Sequence, residues 1–191
     1  MSSASFSCIL LAGGRSSRMG QDKALLRFGS VSLLEHMQTK LSDLGCQDIL
    51  ISRNQPGFIS DIIPEQGPLS GLHACLAHCQ FNKVLVVPVD MPALTATTLL
   101  PLLNVEASAA YYRDCALPCV LTNSSELQAD INQQLAVDNG RRSVFALLQR
   151  LNATALPCHH EAQLINTNTP QQWSQLCQIQ DQTQEWKHES Q

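Results

Sequence analysis

The sequence lacks several features that would place it in common protein classes. No apolar run is long enough to cross a membrane as a helix. The first residues, Met1 to Ser5, have neither the basic flank nor the cleavage pattern of a signal peptide. The net charge at pH 7 is −4, so no general positive field would attract nucleic acid. We therefore expect a cytoplasmic protein whose partners are neither membranes nor nucleic acids.

The cysteines lack the spacing of a zinc site. Among the eight cysteines, Cys75 and Cys79 form one widely spaced pair and Cys115 and Cys119 another, whereas zinc knuckles use Cys-x-x-Cys. Without an export signal we expect the reduced state. We interpret most of these cysteines as small core residues rather than as metal ligands or disulfide partners.

Length and composition fit one folded domain. The chain has 191 residues, of which 44% are hydrophobic, and this is enough for a full-sized core. We expect a single domain over residues 1–191, with its core at about residues 6–178. Residues 179–191 are rich in glutamine and charge and are expected to form a flexible tail.

Strand-like and helix-like segments alternate along the chain. Lys83 to Pro88 is the clearest buried strand, and the leucine spacing over Ser32 to Leu44, with Gly45 as a stop, predicts a helix. This alternation indicates an α/β sandwich with a mostly parallel sheet. Further strands are expected at Ser7 to Leu11, Asp48 to Ser52, Ile62–Ile63, Ala109 to Arg113, Cys119 to Thr122 and Ala153 to Leu156, and further helices at Pro68 to His78, Thr95 or Thr97 to Leu103, Glu126 to Val137, Ser143 to Leu151 and Gln171 to Gln178.

A glycine-rich, basic segment follows the first predicted strand. Gly13 and Gly14 let the backbone approach phosphate oxygens, while Arg18 and Lys23 add full positive charges. The segment is not a P-loop, because it has no Gly-x-x-x-x-Gly-Lys-Ser/Thr string. Its adjacent glycines also break the Gly-x-Gly-x-x-Gly spacing of dinucleotide sites. It predicts an anion-binding loop of another kind, and the alternative is a solvated basic loop.

Other polar residues follow predicted strands and would lie on the same rim of the sheet. Asp90 comes directly after the strand at Lys83 to Pro88, where a carboxylate beside a phosphate loop suits Mg²⁺. Asn54 carries an amide that can donate and accept, which suits a purine edge. The Gly67–Gly71 corner lets the backbone approach a base or ribose. An ordinary turn aspartate, a turn asparagine and a helix start are the respective alternatives.

The segment from Leu11 to Lys23 resembles the signature of small nucleotidyltransferases, most closely the molybdenum cofactor guanylyltransferase family. That family's pattern is Leu-Ala-Gly-Gly-x-Ser-x-Arg-Met-Gly-x-Asp-Lys, and every fixed position matches without a gap. Four later segments resemble further family motifs in the same order and extend the resemblance to about Trp173. They are Gly67 to Gly71, Pro88 to Pro92, Asn139 to Ser143 and Asn166 to Pro170.

The resemblance implies a three-layer sandwich with a mostly parallel, Rossmann-like sheet of the nucleotide-diphospho-sugar transferase type. It also implies transfer of GMP from GTP to molybdenum-bound molybdopterin, with Mg²⁺ as cofactor and pyrophosphate as by-product. Transient contacts with proteins that deliver molybdopterin or mature molybdoenzymes would follow. The implied residues are Arg18, Lys23 and Asp90 for catalysis; Leu11, Ala12, Gly13, Gly14, Lys23, Asn54, Glu65, Gly67, Pro68, Gly71 and Asp90 for GTP; Arg141, Arg142, Asn166 and Asn168 for the acceptor; and Asp90 for the metal.

Some of these assignments have alternatives. Arg141 and Arg142 could form a solvated turn, and the Asn166–Pro170 segment could merely stabilise the acceptor site. The family usually has an aspartate several residues before its Gly-Pro-Leu-x-Gly turn. We interpret the corresponding loop here as shortened, with Glu65 as the only nearby carboxylate in the right place. A His-Pro pair of some members is Leu117–Pro118 here, which weakens any assignment for that loop.

Two other functions stay open at this point. The first is a related nucleotidyltransferase that uses CTP or another phosphate acceptor. Cytidine-type relatives tend to read Leu-Ala-Ala-Gly, and the second glycine of the pair Gly13–Gly14 leaves more room for a purine, which favours GTP. The second is a nucleotide-binding partner or sensor without turnover, which the missing aspartate keeps open.

Overall fold

The computed structural model describes residues 5–13, 22–63, 67–137, 143–169 and 171–174. The described part contains a six-stranded sheet and a separate two-stranded hairpin. The strands in chain order are β1 (Ser7–Leu11), β2 (Arg27–Phe28), β3 (Val31–Ser32), β4 (Asp48–Ser52), β5 (Lys83–Pro88), β6 (Ala109–Tyr112), β7 (Cys115–Thr122) and β8 (Thr154–Leu156).

The central sheet has the strand order β4-β1-β5-β7-β6-β8. β1 is parallel to both of its neighbours, and β8 is parallel to β6, whereas β7 is antiparallel to β5 and β6. Five of these six strands therefore share one direction, which confirms the mostly parallel sheet. Leu11 pairs with both Ser52 and Pro88. The strands β1, β4 and β5 therefore end at the same level, and the loops that follow them begin at one rim of the sheet.

Five named helices flank this sheet within the residues that the structure describes. They are α1 (Leu33–Asp43), α2 (Pro68–Leu76), α3 (Ala96–Leu103), α4 (Ser125–Ala136) and α5 (Val144–Arg150), and short 3₁₀ turns cover Lys23–Leu25 and Glu161–Leu164. Serines begin three of the helices, because Ser32, Ser124 and Ser143 each accept a hydrogen bond from a first-turn backbone N–H. Ser32 also forms a capping box with Glu35.

Two apolar clusters lie on opposite faces of the sheet. Alternate residues of β1 point to opposite faces, so Leu10 packs with Met37 of α1 and Leu102 of α3, whereas Ile9 belongs to the cluster of α2, α4 and α5. Helices, sheet and helices make three layers, as expected.

Several cysteines belong to this interior. Cys8, Cys46, Cys75 and Cys119 are buried, which confirms the prediction that they are core residues. Burial raises the pKa of both Cys75 and Cys79 to about 12, so these two thiols stay protonated at neutral pH.

The structure corrects one predicted strand and adds a hairpin. β1, β4 and β5 have the predicted bounds, but Ile62 and Ile63 lie in a loop, where Ile62 is exposed. Ile63 packs against the cluster of α2, α4 and α5, but Ile62 does not share this contact, and the two residues form no strand. The pairing partner of β4 in this region is instead Ile59, which forms an isolated bridge with Ser52. The β2–β3 hairpin was not predicted, because each of its strands has only two residues.

Smaller differences concern element ends. α2 ends at Leu76 instead of His78, and β7 begins at Cys115 instead of Cys119. The last predicted helix is described only over residues 171–174, which are helical, and the predicted tail lies outside the described residues. No helix in the described part of the chain is both long and apolar enough to cross a membrane. That residues 1–191 form one domain stays a prediction.

Candidate functional site

A cleft of about 820 Å³ opens where β1 and β4 end. Its walls come from the two strand ends, the loop after β4 and the first turn of α2. Seven of the predicted GTP-binding residues line it together, although their role stays a prediction: Leu11, Ala12, Gly13, Asn54, Gly67, Pro68 and Gly71. Asp22, Ser52, Arg53, Gln55, Ser60 and Asp61 complete the lining.

The start of α2 approaches β4 closely at this cleft. A Cβ atom on Gly71 would lie 2.0 Å from Ser52 Oγ and 3.2 Å from Asp61 Oδ1, so only glycine fits without a shift of these groups. Gly67 precedes the helix with φ of 72°, a left-handed conformation that favours glycine. Pro68 occupies the first helical position, where its missing N–H leaves no bond unmade. The Gly-Pro-Leu-x-Gly segment therefore builds the corner that the sequence predicted.

Asn54 and Asp61 form a reciprocal pair at the cleft wall. Asn54 Nδ2 donates to Asp61 Oδ2 at 3.0 Å, and the backbone N–H of Asp61 donates to Asn54 Oδ1 at 2.7 Å. The loop between them folds back on β4, because Ile59 N donates to the carbonyl of Ile51 at 3.0 Å and Arg53 N to that of Ile59 at 2.9 Å. This fold brings the Asp61 carboxylate over the strand end.

Asp61 is the functional candidate that the sequence interpretation missed. The interpretation of Glu65 as the only nearby carboxylate in the right place is wrong, because Asp61 lines the cleft ahead of Gly67. Glu65 itself lies outside the described residues. Five residues, Ile62 to Gln66, separate Asp61 from Gly67, so the loop before the turn is long enough to include this aspartate. The family's aspartate before its Gly-Pro-Leu-x-Gly turn was the signal that could have found it.

A second group of predicted residues meets beside the cleft. Lys23 Nζ lies 3.3 Å from Asp90 Oδ2 and 2.5 Å from Asn168 Oδ1, so the N-terminal motif, the end of β5 and the late asparagine motif converge. The backbone N–H of Thr167 donates to the Asp90 carbonyl at 2.8 Å, which holds the 166–169 segment against the residues after β5. Asn166 Oδ1 is buried in this segment and has no hydrogen-bond partner among the described residues. Lys23 and Asp90 do not line the cleft itself, but Asp22, which precedes Lys23, does.

The oxygen atoms near Lys23 fit a divalent cation that is shared with a phosphate ligand. Asp90 offers a carboxylate whose side chain is 18% exposed, and Asn168 offers an amide oxygen beside it. The described residues contain no group of three or more His, Cys, Asp or Glu that could hold a metal ion. Mg²⁺ commonly binds through one or two carboxylates and completes its shell with waters and substrate phosphates. The donor set therefore suits such an ion together with a nucleotide.

Five of the predicted site residues lie outside the described residues: Gly14, Arg18, Glu65, Arg141 and Arg142. Their roles stay predictions.

The fold and the cleft together define an α/β protein with a candidate ligand site at the carboxyl ends of its strands, where such sheets bind their ligands. Residues 8–154 match the family described as the MobA-like NTP transferase domain. The chain belongs to this family and is a nucleotidyltransferase.

Curated relatives support the same membership over most of the chain. A molybdenum cofactor guanylyltransferase from Xanthomonas euvesicatoria pv. vesicatoria is 38% identical over 174 residues, which cover 88% of this chain and 92% of the relative. A molybdenum cofactor guanylyltransferase from Pasteurella multocida is 34% identical over 170 residues, which cover 79% of this chain and 87% of the relative. The predicted family resemblance is confirmed.

Solved structures confirm the fold class. Molybdopterin-guanine dinucleotide biosynthesis protein A from Archaeoglobus fulgidus superposes with a TM-score of 0.74 at 20% identity, covering 92% of this chain and 99% of its own. The 2-C-methyl-D-erythritol 4-phosphate cytidylyltransferase from Thermus thermophilus superposes with a TM-score of 0.70 at 17% identity, covering 92% and 98%. At these identities the likeness shows a shared nucleotidyltransferase fold.

Proposed function

We propose that this protein transfers GMP from GTP to the phosphate of molybdenum-bound molybdopterin and so forms the guanine dinucleotide cofactor and pyrophosphate. The observation that carries the proposal is the 38% identity to a molybdenum cofactor guanylyltransferase over 88% of the chain. The proposal includes Mg²⁺ as the metal, GTP and molybdopterin as substrates, a cytoplasmic location and transient contacts with the proteins that supply molybdopterin or receive the cofactor.

The position of Asp61 in the cleft favours a guanine nucleotide as the substrate. A carboxylate only accepts hydrogen bonds, and guanine offers two neighbouring donors, the ring N1–H and the exocyclic amino group. Cytosine has no such pair of adjacent donors in its neutral form. The two bonds to Asn54 orient the carboxylate, and Gly71 leaves the space beside it, since any larger residue would collide with Ser52.

In this proposal Lys23, Asp90 and Arg18 act on the phosphates of GTP. An oxygen of the molybdopterin phosphate attacks the α-phosphorus of GTP, the bond from that phosphorus to the bridging oxygen of the β-phosphate breaks, and pyrophosphate leaves with the electron pair. The attacking oxygen is already ionised, so the transfer needs charge balance and alignment rather than a covalent nucleophile. Lys23 and Arg18 would offset the charge that builds on the leaving pyrophosphate.

Asp90 would hold the divalent cation at this end, with Asn168 as its neighbour. When bound, the ion neutralises phosphate charge. Lys23 Nζ lies 3.3 Å from the Asp90 carboxylate, so the cation and the lysine would act on the same stretch of the triphosphate.

The acceptor would bind against the 166–169 segment. Asn168 contacts Lys23, and Thr167 contacts the backbone of Asp90, so a phosphate held near Asn166 and Asn168 would lie beside the α-phosphate region. Arg141 and Arg142 would add charge-assisted hydrogen bonds to the acceptor phosphate.

A pyrophosphate-release assay tests the proposal. The protein is incubated with GTP, Mg²⁺ and molybdenum-bound molybdopterin, and the assay is repeated with CTP. We expect release that requires all three components and is much faster with GTP than with CTP. Faster release with CTP would identify a cytidylyltransferase. Binding of GTP without release would identify a nucleotide-binding partner. Arg150→Ala, which removes a surface ion pair with Asp130, is the matched control and should release pyrophosphate at the wild-type rate.

A further inference from the structure

A buried arginine lies in the wall of the nucleotide cleft. Arg53 follows β4, is 5% exposed and lines the cleft. Its guanidinium forms a two-point ion pair, since Nη1 donates to Asp22 Oδ1 at 3.2 Å and Nη2 donates to Asp22 Oδ2 at 2.5 Å. The ring centroid of Phe58 lies 5.6 Å from the guanidinium carbon, within range of a cation–π contact. The arginine is thus fixed on two sides.

Asp22 is a carboxylate on the wall of a cleft that would receive a polyanion. Its side chain is 44% exposed, and it lines the same cleft. Asp22 Oδ1 also accepts a hydrogen bond from the backbone N–H of Ala24 at 3.1 Å, so it caps the 3₁₀ turn that begins with Lys23. A carboxylate at this place supports the turn, but its unbalanced charge would repel phosphates.

We propose that Arg53 is a positioning residue for nucleotide binding that acts through Asp22. It neutralises the carboxylate and holds it at the cap of the turn that presents Lys23, so that a nucleoside triphosphate can enter beside it. The bidentate geometry matters, because a planar guanidinium engages both carboxylate oxygens whereas an ammonium engages them as a point charge. This inference rests on the proposed function, since its ligand is the triphosphate of the nucleotide.

A double-mutant cycle separates this role from direct phosphate binding. Wild type, Arg53→Met, Asp22→Asn and the double variant are titrated calorimetrically with GTP and, separately, with inorganic triphosphate, each with Mg²⁺. We expect Arg53→Met to weaken both ligands about tenfold, and the double variant to return to within about threefold of wild type. Arg53→Lys, which keeps the charge without the fork, should fall between wild type and Arg53→Met.

Two results would overturn the inference. The first is an Arg53→Met variant that binds both ligands as tightly as wild type. The second is a double variant that binds as weakly as Arg53→Met, because an arginine that contacts phosphate directly is not replaced by neutralising Asp22. All four proteins are therefore titrated well below their unfolding midpoints, so that a regained affinity reports binding and not refolding of Arg53→Met.

Thermal unfolding provides an independent check. Asp22→Asn leaves a buried guanidinium without its counter-charge and should lower the unfolding midpoint, whereas the double variant should recover it. Arg150→Met breaks an Arg–Asp pair between α5 and α4, and no residue of these helices is among those that line the cleft, so it should bind both ligands like wild type. If the wild-type protein binds inorganic triphosphate but not GTP, the proposed guanine specificity is wrong, and the titrations with triphosphate still test the role of Arg53. If it binds neither ligand, both proposals are wrong.

Discussion

Asn54 and Asp61 hold each other at the cleft wall through two hydrogen bonds of 3.0 and 2.7 Å. The amide nitrogen and the amide oxygen of Asn54 are both engaged with Asp61. The predicted contact of the Asn54 amide with a purine edge stays a prediction, since each of its polar atoms keeps a second hydrogen-bonding position. The structure adds that Asn54 orients the Asp61 carboxylate, which is the group that we propose to meet the base.

The first prediction concerns Asp61. Asp61→Asn replaces an acceptor-only group with one that presents a donor to guanine, so kcat/KM for GTP should fall about 10- to 100-fold. Steady-state pyrophosphate release measures the change. Asp130→Asn, an aspartate on α4 outside the cleft lining, is the matched control and should keep wild-type kinetics. Unchanged kcat/KM in Asp61→Asn would remove Asp61 from base recognition.

Lys23 provides the second prediction. Lys23→Ala removes a charge that would stabilise the leaving pyrophosphate, so kcat should fall roughly 100- to 1,000-fold. Single-turnover measurements at saturating GTP separate this loss from weaker binding. If the variant keeps full turnover with normal GTP affinity, the assignment of Lys23 to catalysis is wrong.

The third prediction concerns the close approach of Gly71 to the side chain of Ser52. Gly71→Ala places a methyl group against Ser52 Oγ and Asp61 Oδ1, which forces the helix start, the Ser52 side chain or the carboxylate to move. KM for GTP should rise about tenfold, and the unfolding midpoint should fall, because overpacking at this corner is costly. A variant that matches wild type in both measurements would show that α2 can shift without affecting the cleft.

Gly13 lines the same cleft but has different surroundings, which gives a fourth prediction. A Cβ atom there would lie 3.6 Å from the Ser52 carbonyl oxygen and 3.9 Å from Arg53 Cα, both ordinary contacts. Gly13→Ala should therefore leave the unfolding midpoint unchanged. If the glycine leaves room for a purine, the variant should lose part of its preference for GTP over CTP, measured as the ratio of the two kcat/KM values. An unchanged ratio would separate Gly13 from nucleotide choice.

The sequence predicted those parts of the fold that depend on local pattern. β1, β4 and β5 are uninterrupted or alternating apolar segments with clear ends, and their parallel pairing placed Gly13, Asn54 and Asp90 at one rim. The Ile62–Ile63 strand failed because two adjacent apolar residues carry no period, and their burial depends on what packs over them. The two-residue strands of the β2–β3 hairpin are below the length at which a pattern can be read.

The sequence predicted those parts of the site whose residues belong to family motifs. The meeting of Lys23 with Asn168 joins residues that are 145 positions apart, and no local pattern links them, although the family motifs named both. The ion pair between Arg53 and Asp22 had no such guide. Asp22 is a fixed position of the N-terminal motif, but Arg53 belongs to no motif, and only the folded structure shows that the two side chains form an ion pair.

The last prediction concerns His36, which packs against the segment that follows Asp90. His36 lies in α1 with its ring centroid 4.5 Å from that of Phe28, and its Nε2 is buried without a hydrogen-bond partner among the described residues. Burial lowers the pKa of His36 below 6.5, and the nearby charge of Lys40 lowers it further. Lys40 itself donates to the carbonyls of Pro92 and Leu94 at 2.8 and 2.7 Å, so this part of α1 holds the chain beyond Asp90.

The sign of the pH dependence follows from that lowered pKa. Between the folded pKa and 6.5 the unfolded chain binds more protons at His36, so stability rises with pH through this window. The contribution of neutral His36 is present above pH 6.5 and is lost as the pH falls toward the folded pKa. The unfolding midpoint should therefore drop less in His36→Gln than in wild type between pH 7.5 and pH 5. His73, whose pKa burial also lowers, contributes equally to both proteins. Equal slopes in wild type and His36→Gln would show that this histidine does not couple pH to the stability of the site.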